Sequence, residues 1–229
     1  EEYEKFVKNN KYKSHFLQSY AWGQFAKAKK GLFPYYLGLK NEDNEIIASS
    51  LLLQKKLPLG YSYFYSPRGF VLDYTDEKTF SLFTKEIVKF VKAKKGIFLK
   101  IDPYDSTKIF EMITNSGYKH LGFTKNFETM QPRFTFRIDL EQDMDTIKDH
   151  FSKTTKQRIN KAIKLGCEVS IGTDEDLDKF CQLMMITEER KDFVSYDSSY
   201  YKTLYRMYNE DNNMTLFLGK IFPSKILQE

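Results

Sequence analysis

The segment Gly60–Pro103 constrains the fold most, because it reads as strand, helix and strand in direct succession. In "GYSYFYSPRG", Ser62, Phe64 and Ser66 alternate with Tyr61, Tyr63 and Tyr65, and Pro67 ends the strand. In "TDEKTFSLFTKEIVKFVKAKKG", Phe80, Phe83, Ile87, Phe90 and Val91 fall on one helical stripe, with acids early, lysines late and Gly96 as the stop. The apolar run "IFLKIDP" follows at once and reads as a buried strand. Two strands joined by a helix this way pair in parallel through a right-handed crossover, which excludes all-α and antiparallel all-β folds.

The flanking sequence extends the same style. "SYAWGQFAKAKKG" places Ala21, Phe25 and Ala28 at helical spacing before Gly31 and predicts a helix over Gln18–Lys30. "PYYLGLKNEDNEIIASSLLLQKKLP" predicts a β-hairpin around Asn41–Glu45, and Pro132–Leu140 a further alternating strand. Beyond it come helical material from "EQDMDTIKDHF", a basic helix around Thr154–Leu165, the strand "CEVSIG" and a helix in "TDEDLDKFCQLMMITEERK". That helix carries Leu177, Phe180, Cys181 and Met184 as its stripe, Thr173 as N-cap and Arg190/Lys191 at its end. "SSYYKTLYRMYNE" and "MTLFLGKIF" read as a helix and a strand. The expected organisation is α/β (α+β) in two lobes, 1–142 and 143–229.

With 41% hydrophobic and 29% charged residues, the 229-residue chain is that of a globular protein with a real core. Two cysteines fourteen apart, Cys167 and Cys181, make neither a disulfide framework nor a zinc ribbon, so a reducing cytosolic setting is expected. "EEYEKFVKNN" lacks the apolar region of a signal peptide, no run approaches a membrane span, and both ends read as cut. His15, His120 and His150 are scattered without ligand spacing, so no metal site is expected. GxSxG, GxGxxG and GxxxxGK[ST] are all missing, which removes the nucleophile-elbow, dinucleotide and P-loop readings.

Three features remain as candidates. Asp102 in "KIDPY" ends a crossover strand, where α/β sheets place ligands; a turn-capping aspartate is the alternative. Arg68 in "SPRGF" stands beside a glycine that lets backbone approach a ligand, or is an exposed turn arginine. "SKTTKQRINKAIKLG" sets Lys153, Lys156, Arg158, Lys161 and Lys164 at roughly 0, 300, 140, 80 and 20 degrees around a helix. Ile159 and Ile163 lie opposite, near about 240 and 280 degrees. This is either the solvated face of an amphipathic helix or a grip on phosphates.

Six segments in order resemble the FemABX family of peptidoglycan bridge aminoacyltransferases, in its MurM- and FemA-like branches. They are "SHFLQSYAW", "LPLGYSYFYSPRGFVLDY", "KIDPY", "QPRFTFRIDL", "SKTTKQRINKAIKLGCEV" and "TEERKDFVSYDSSYY". The resemblance implies two acetyltransferase-like (GNAT-like) lobes with mixed sheets flanked by helices. The second lobe would be incomplete, stopping near the family's helical hairpin insertion. It also implies transfer of Gly, Ala or Ser from aminoacyl-tRNA to the stem-peptide amine of lipid II or UDP-MurNAc-pentapeptide, without metal or nucleotide cofactor. A monomer is expected, cytoplasmic and peripheral at the inner membrane face.

The same resemblance assigns the acceptor's diphosphate to Lys27, with Lys29 as fallback, and matches the family carboxylate to Asp102 and its tyrosine to Tyr200. An arginine that pairs with the diphosphate in relatives falls at Tyr196 here, so that pairing is either missing or supplied by Arg190 or Lys191. A family lysine held to stabilise the oxyanion falls beyond Glu229. The basic helix would face tRNA or the membrane. The rival readings are an acyl-CoA-dependent N-acyltransferase, although no Q/R-x-x-G-x-G/A loop occurs, and a non-catalytic tRNA-binding fragment.

Overall fold

The computed structural model describes residues 1–10, 14–103, 109–121, 131, 136, 138–210 and 213–221. The chain divides into two compact units, Glu1–Pro132 and Arg133–Glu229.

Unit 1 is built on a mixed four-stranded sheet in the order β1 (Phe33–Lys40), β2 (Ile46–Lys56), β3 (Ser62–Ser66), β4 (Gly96–Ile101). β1 and β2 form the expected antiparallel hairpin. Its turn closes through Asn41 N–H to the Glu45 carbonyl (2.9 Å) and Glu45 N–H to Asn41 Oδ1 (2.8 Å). β2 and β3 are antiparallel, and β3 and β4 are the expected parallel pair. Four helices accompany the sheet: α1 (Glu2–Asn9), α2 (Tyr20–Lys30), α3 (Glu77–Ala93) and α4 (Phe110–Asn115). α1 and α4 were not anticipated from the sequence.

Hydrophobic burial holds this unit together. Ala48, Leu52, Phe64, Phe70 and Leu72 form one cluster with Phe80, Phe83, Ile87 and Val91 of α3, and Met112 and Ile113 of α4 pack against it. Each large side chain buried there contributes about 1.5–3 kcal/mol. The alternate β2 residues Leu51 and Leu53 point the other way and are equally buried, where α1 and α2 contact the strand. β2 is therefore covered on both faces, which explains its nearly unbroken apolar run.

Some boundaries differ from the sequence reading. A 3-10 turn over Phe16–Gln18 precedes α2, and Ser19 caps that helix by accepting the Trp22 N–H (3.1 Å), so Gln18 is outside it. α3 ends on Lys94 and a left-handed Lys95 (φ 54°), not on Gly96. Gly96 opens β4 instead; a Cβ there would meet the Val91 carbonyl oxygen at 2.8 Å. β4 is not buried: it is the edge strand among the described residues, with Ile97 and Phe98 exposed. Pro132–Leu140 lies largely outside the described residues, as does Tyr104.

Unit 2 comprises α5 (Met144–Asp149), α6 (Lys153–Lys164), β5 (Glu168–Gly172), α7 (Leu177–Lys191), α8 (Ser198–Asn209) and β6 (Leu216–Lys220). β5 and β6 pair antiparallel, Glu168 opposite Lys220 and Gly172 opposite Leu216. α7 and α8 pack together, burying Leu177, Cys181, Tyr205 and Tyr208. Thr173 precedes a 3-10 turn (Asp174–Asp176) rather than α7 itself, and its N–H donates to Asp176 Oδ2 at 3.0 Å. Phe180 and Met184 are only half-buried.

Candidate functional site

The last residue of β3 lies beside the last residue of β4, Ser66 opposite Ile101, so the two strands deliver their following turns to one end of the sheet. Asp102 is the first residue past β4 there. Its Oδ1 accepts the Arg68 N–H (2.6 Å) and its Oδ2 accepts the Tyr65 hydroxyl (2.9 Å). The Gln131 side chain also hydrogen-bonds the Tyr65 hydroxyl. Tyr65 pairs in register with Lys100, so alternation puts Asp102 on the same face one step further.

Burial raises the Asp102 carboxyl above its ordinary value, although the Arg68 N–H, the Tyr65 hydroxyl and the Arg68 and Lys100 charges pull it back. Burial raises the Tyr65 hydroxyl too, and the Asp102 charge adds to that rise. The pair is a partly desolvated carboxylate aimed by two donors, with lone pairs left for a third.

The turn that presents Arg68 is buttressed from beneath. Arg68 itself is left-handed (φ 51°), and Gly69 has no room for a side chain, since a Cβ would meet Gln18 Nε2 at 2.7 Å. Gln18 is fully buried. Its Nε2 donates to the Pro67 carbonyl (2.5 Å) and Ser66 Oγ (3.2 Å), and its Oε1 accepts the Leu51 N–H (2.8 Å). One amide thereby ties β2 to the turn that carries the donor to Asp102.

The other candidates lie on other elements. Lys27 is exposed and Lys29 half-buried in the last turn of α2, which leads into the start of β1. The register runs from Phe33 opposite Gln54, through Gln54 opposite Phe64, to Phe64 opposite Leu99. The start of β1 is therefore level with Leu99, three residues or about 10 Å short of Asp102 along β4, and the two lysines precede it in the chain. In unit 2, Tyr196 and Tyr200 stack face to face (3.8 Å between centroids, 7°) at the start of α8, where the Tyr200 N–H caps onto Asp197 Oδ1 (2.7 Å). Burial raises the Tyr200 hydroxyl, and the Tyr196 and Tyr201 rings add to it. Arg190 is exposed in the last turn of α7.

α6 starts at its cap Ser152, which accepts the Thr155 N–H (3.2 Å). Lys153, Arg158, Lys161 and Lys164 are exposed, and Lys156 pairs with Asp149 (3.2 Å). A shallow cavity of about 390 Å³ is lined by Gln157, Asn160, Lys161, Lys164 and Leu165. The isoleucines behave otherwise than the helical pattern suggests. Ile159 and Ile163 are exposed, because periodicity groups residues on one face without supplying a layer to cover it.

Tyr65, Gln18 and Gln131 were not singled out from the sequence. Alternation in β3 groups Tyr65 with the tyrosine face, but only its parallel register with β4 sets it against Asp102.

A mixed sheet that sets a partly desolvated carboxylate at the end of a crossover strand, followed by a helix-rich second unit, defines an α+β protein whose candidate site lies at a strand end. The sequence model of the FemAB family matches residues 1–222, and the chain belongs to that family. It is 33% identical to the lipid II:glycine glycyltransferase of Staphylococcus haemolyticus over 82% of this chain and 46% of the relative. It is 31% identical to the Staphylococcus aureus (strain MRSA252) enzyme of the same name, over 98% of this chain and 54% of the relative. The crystal structure of FemX superposes with a TM-score of 0.86 at 29% identity, over 99% of this chain and 57% of that one. The chain thus spans about half the length of the curated relatives it matches.

Proposed function

We propose that the chain belongs to an enzyme of interpeptide-bridge synthesis. It would move an amino acid from aminoacyl-tRNA to the stem-peptide amine of lipid II or UDP-MurNAc-pentapeptide. The observation that carries the reading is Asp102, held by Tyr65 and the Arg68 N–H in a chain of this family. Glycine is the first donor to test, since the relatives are named for it.

The chemistry asks little beyond positioning. An aminoacyl ester and an amine give an amide and a free ribose hydroxyl, so no cofactor is needed and the reaction is downhill. The incoming ammonium must lose a proton before its nitrogen can attack. Asp102, raised by burial but still accepting two hydrogen bonds, orients that ammonium and takes the proton, directly or through one water. Attack then forms a tetrahedral oxyanion on a still-protonated nitrogen; its collapse expels the tRNA oxygen, which takes one proton from Asp102, while the nitrogen's second proton leaves to water. Lys27 and Lys29 would hold the acceptor's diphosphate. In unit 1, Arg68 would add positive charge for the acceptor; in unit 2, Arg190 would offer a cation and Tyr196 and Tyr200 a stacking platform for substrate. The tRNA backbone would run on α6, whose basic residues and amide-lined cavity suit a phosphodiester.

Glycyl transfer from glycyl-tRNA to lipid II and to UDP-MurNAc-pentapeptide tests this, beside calorimetric binding of the soluble acceptor. Asp102→Asn should lower kcat about 100-fold or more with little change in acceptor affinity. Lys27→Ala should weaken acceptor binding far more than Lys161→Ala does. Full activity in Asp102→Asn would sink the reading.

A further inference from the structure

The sheet end opposite Asp102 carries a feature that packing does not explain. β2 and β3 are joined there by a 3-10 turn, Pro58–Gly60, whose tip residue Leu59 is 90% exposed at φ 60°. A left-handed exposed turn position favours Asn or Gly, so a leucine there costs conformational energy and buries nothing in return. The turn itself is firmly held. Leu57 N–H donates to the Tyr61 carbonyl (2.8 Å), Ser62 N–H to Lys95 (3.0 Å) and Ser62 Oγ to Lys94 (2.9 Å). Leu59 is therefore a fixed apolar projection.

Its surroundings are aromatic, aliphatic and cationic. Tyr61, Ile97, Phe98 and Phe33 are exposed beside it, Ile97 being the extra residue where the β3/β4 register shifts. Lys55, Lys56, Lys94 and Lys95 stand at the same end, Lys56 Nζ lying 4.7 Å over the Phe33 ring. The segments at this end, 27–33, 54–62 and 91–98, contain no Asp or Glu. The chain's modest net charge of +5 hides this one-sign concentration.

We infer that this corner docks unit 1 on an anionic phospholipid bilayer, with Leu59 entering the interface and the lysines meeting lipid phosphates. An apolar tip ringed by long cationic side chains suits an interface in which lysine stems lie along hydrocarbon and their ammonium groups stay at headgroup level. An acidic protein groove would account for the lysines but gives no place to an isolated leucine raised above them. The inference deepens the proposed function: a membrane at this end would deliver a lipid-linked diphosphate to Lys27 and Lys29 and leave Asp102 at the far end, within reach of the stem peptide. No helix among the described residues is long and apolar enough to cross a membrane.

The test is flotation with 100-nm vesicles of phosphatidylglycerol and phosphatidylcholine, against phosphatidylcholine alone, with no peptidoglycan precursor present. The chain should float with the anionic vesicles only, and less as salt rises. Leu59→Asn, which relieves the backbone and leaves the core untouched, should weaken partitioning about tenfold. Lys56→Gln with Lys94→Gln should weaken it about 25-fold, and Lys153→Glu with Lys161→Glu on α6 should leave it unchanged. Equal flotation by Leu59→Asn, loss through the α6 variant instead, or no flotation at all would overturn the inference. Glycyl transfer is a separate readout, so vesicle binding without transfer sinks the proposed reaction and leaves the docking surface standing.

Discussion

The two units handle apolar surface in opposite ways. In unit 1, β2 is covered on both faces, and its core cluster joins all four strands, the segment after β3 and two helices. In unit 2, the β5/β6 pair buries Leu218 and Gly172 on one face, where the Tyr205 hydroxyl donates to the Gly172 carbonyl (3.4 Å). The other face leaves Val169, Ile171 and Phe217 exposed at 68%, 72% and 67%. Surface ion pairs supplement this thin core, Arg206 gripping Asp174 through two bonds (2.8 and 2.9 Å) and Lys202 meeting Asp178 (2.5 Å). The central strand of unit 1 is thus apolar on two covered faces, whereas the strand pair of unit 2 leaves one apolar face to solvent. A residue's type tells little about its worth until its cover is known.

The largest expected effect tests that contrast directly. Phe64→Ala removes a fully buried ring from the unit 1 cluster and should cost about 3–5 kcal/mol. Ile171→Thr in unit 2 removes an exposed side chain and should stay within about 0.5 kcal/mol. Native-state hydrogen exchange reads each unit separately, which matters because two units need not unfold together. A cost above about 2 kcal/mol for Ile171→Thr would mean that its face is covered in solution.

A smaller effect separates buried from exposed polar contacts. Gln18→Leu keeps the volume of a buried side chain but strips partners from the Leu51 N–H and the Pro67 carbonyl, and should cost about 1–3 kcal/mol. It should also lower the aminoacyl transfer proposed above by loosening the turn that presents the Arg68 N–H to Asp102. Arg206→Ala breaks an exposed pair and should change stability far less, because solvent screens it. Similar costs in both would show that the Gln18 junction is not the fixed support its burial suggests.

What was legible in the sequence follows the range of each interaction. α3 and the parallel pair it joins could be read, since the helical stripe and its flanking strands are local patterns. Asp102 could be read as a strand-end carboxylate for the same reason. Tyr65 could not, because its contact with Asp102 depends on a register between strands 37 positions apart. Gln18 could not either; its partners come from β2 and from the turn after β3, and nothing beside it marks an amide as buried. The helical wheel grouped Ile159 with Ile163 correctly, yet whether a neighbour covers that stripe is a tertiary fact. The exposure of β4 belongs to the same class, since an apolar run reads alike at the edge and in the middle of a sheet.

The smallest effect compares one acid from each unit, and the two should carry opposite signs. Burial raises the folded-state Asp102 carboxyl above its unfolded value, so between those two values the native state holds a proton that the unfolded state has lost. Its contribution is full below the unfolded pKa and disappears as pH rises through the folded one. Asp174 runs the other way, because its hydrogen bonds and ion pair with Arg206 hold its carboxyl below the ordinary value. Its contribution is present above the unfolded pKa and disappears as pH falls through the folded one. Denaturant unfolding of wild type, Asp102→Asn and Asp174→Asn, from about pH 3 to about pH 7, resolves both slopes. Relative to wild type, Asp102→Asn should gain stability as pH rises, and Asp174→Asn should lose it. Slopes of the same sign would mean that water reaches Asp102 freely, and the carboxylate at the end of β4 would then have no more claim to proton transfer than any surface aspartate.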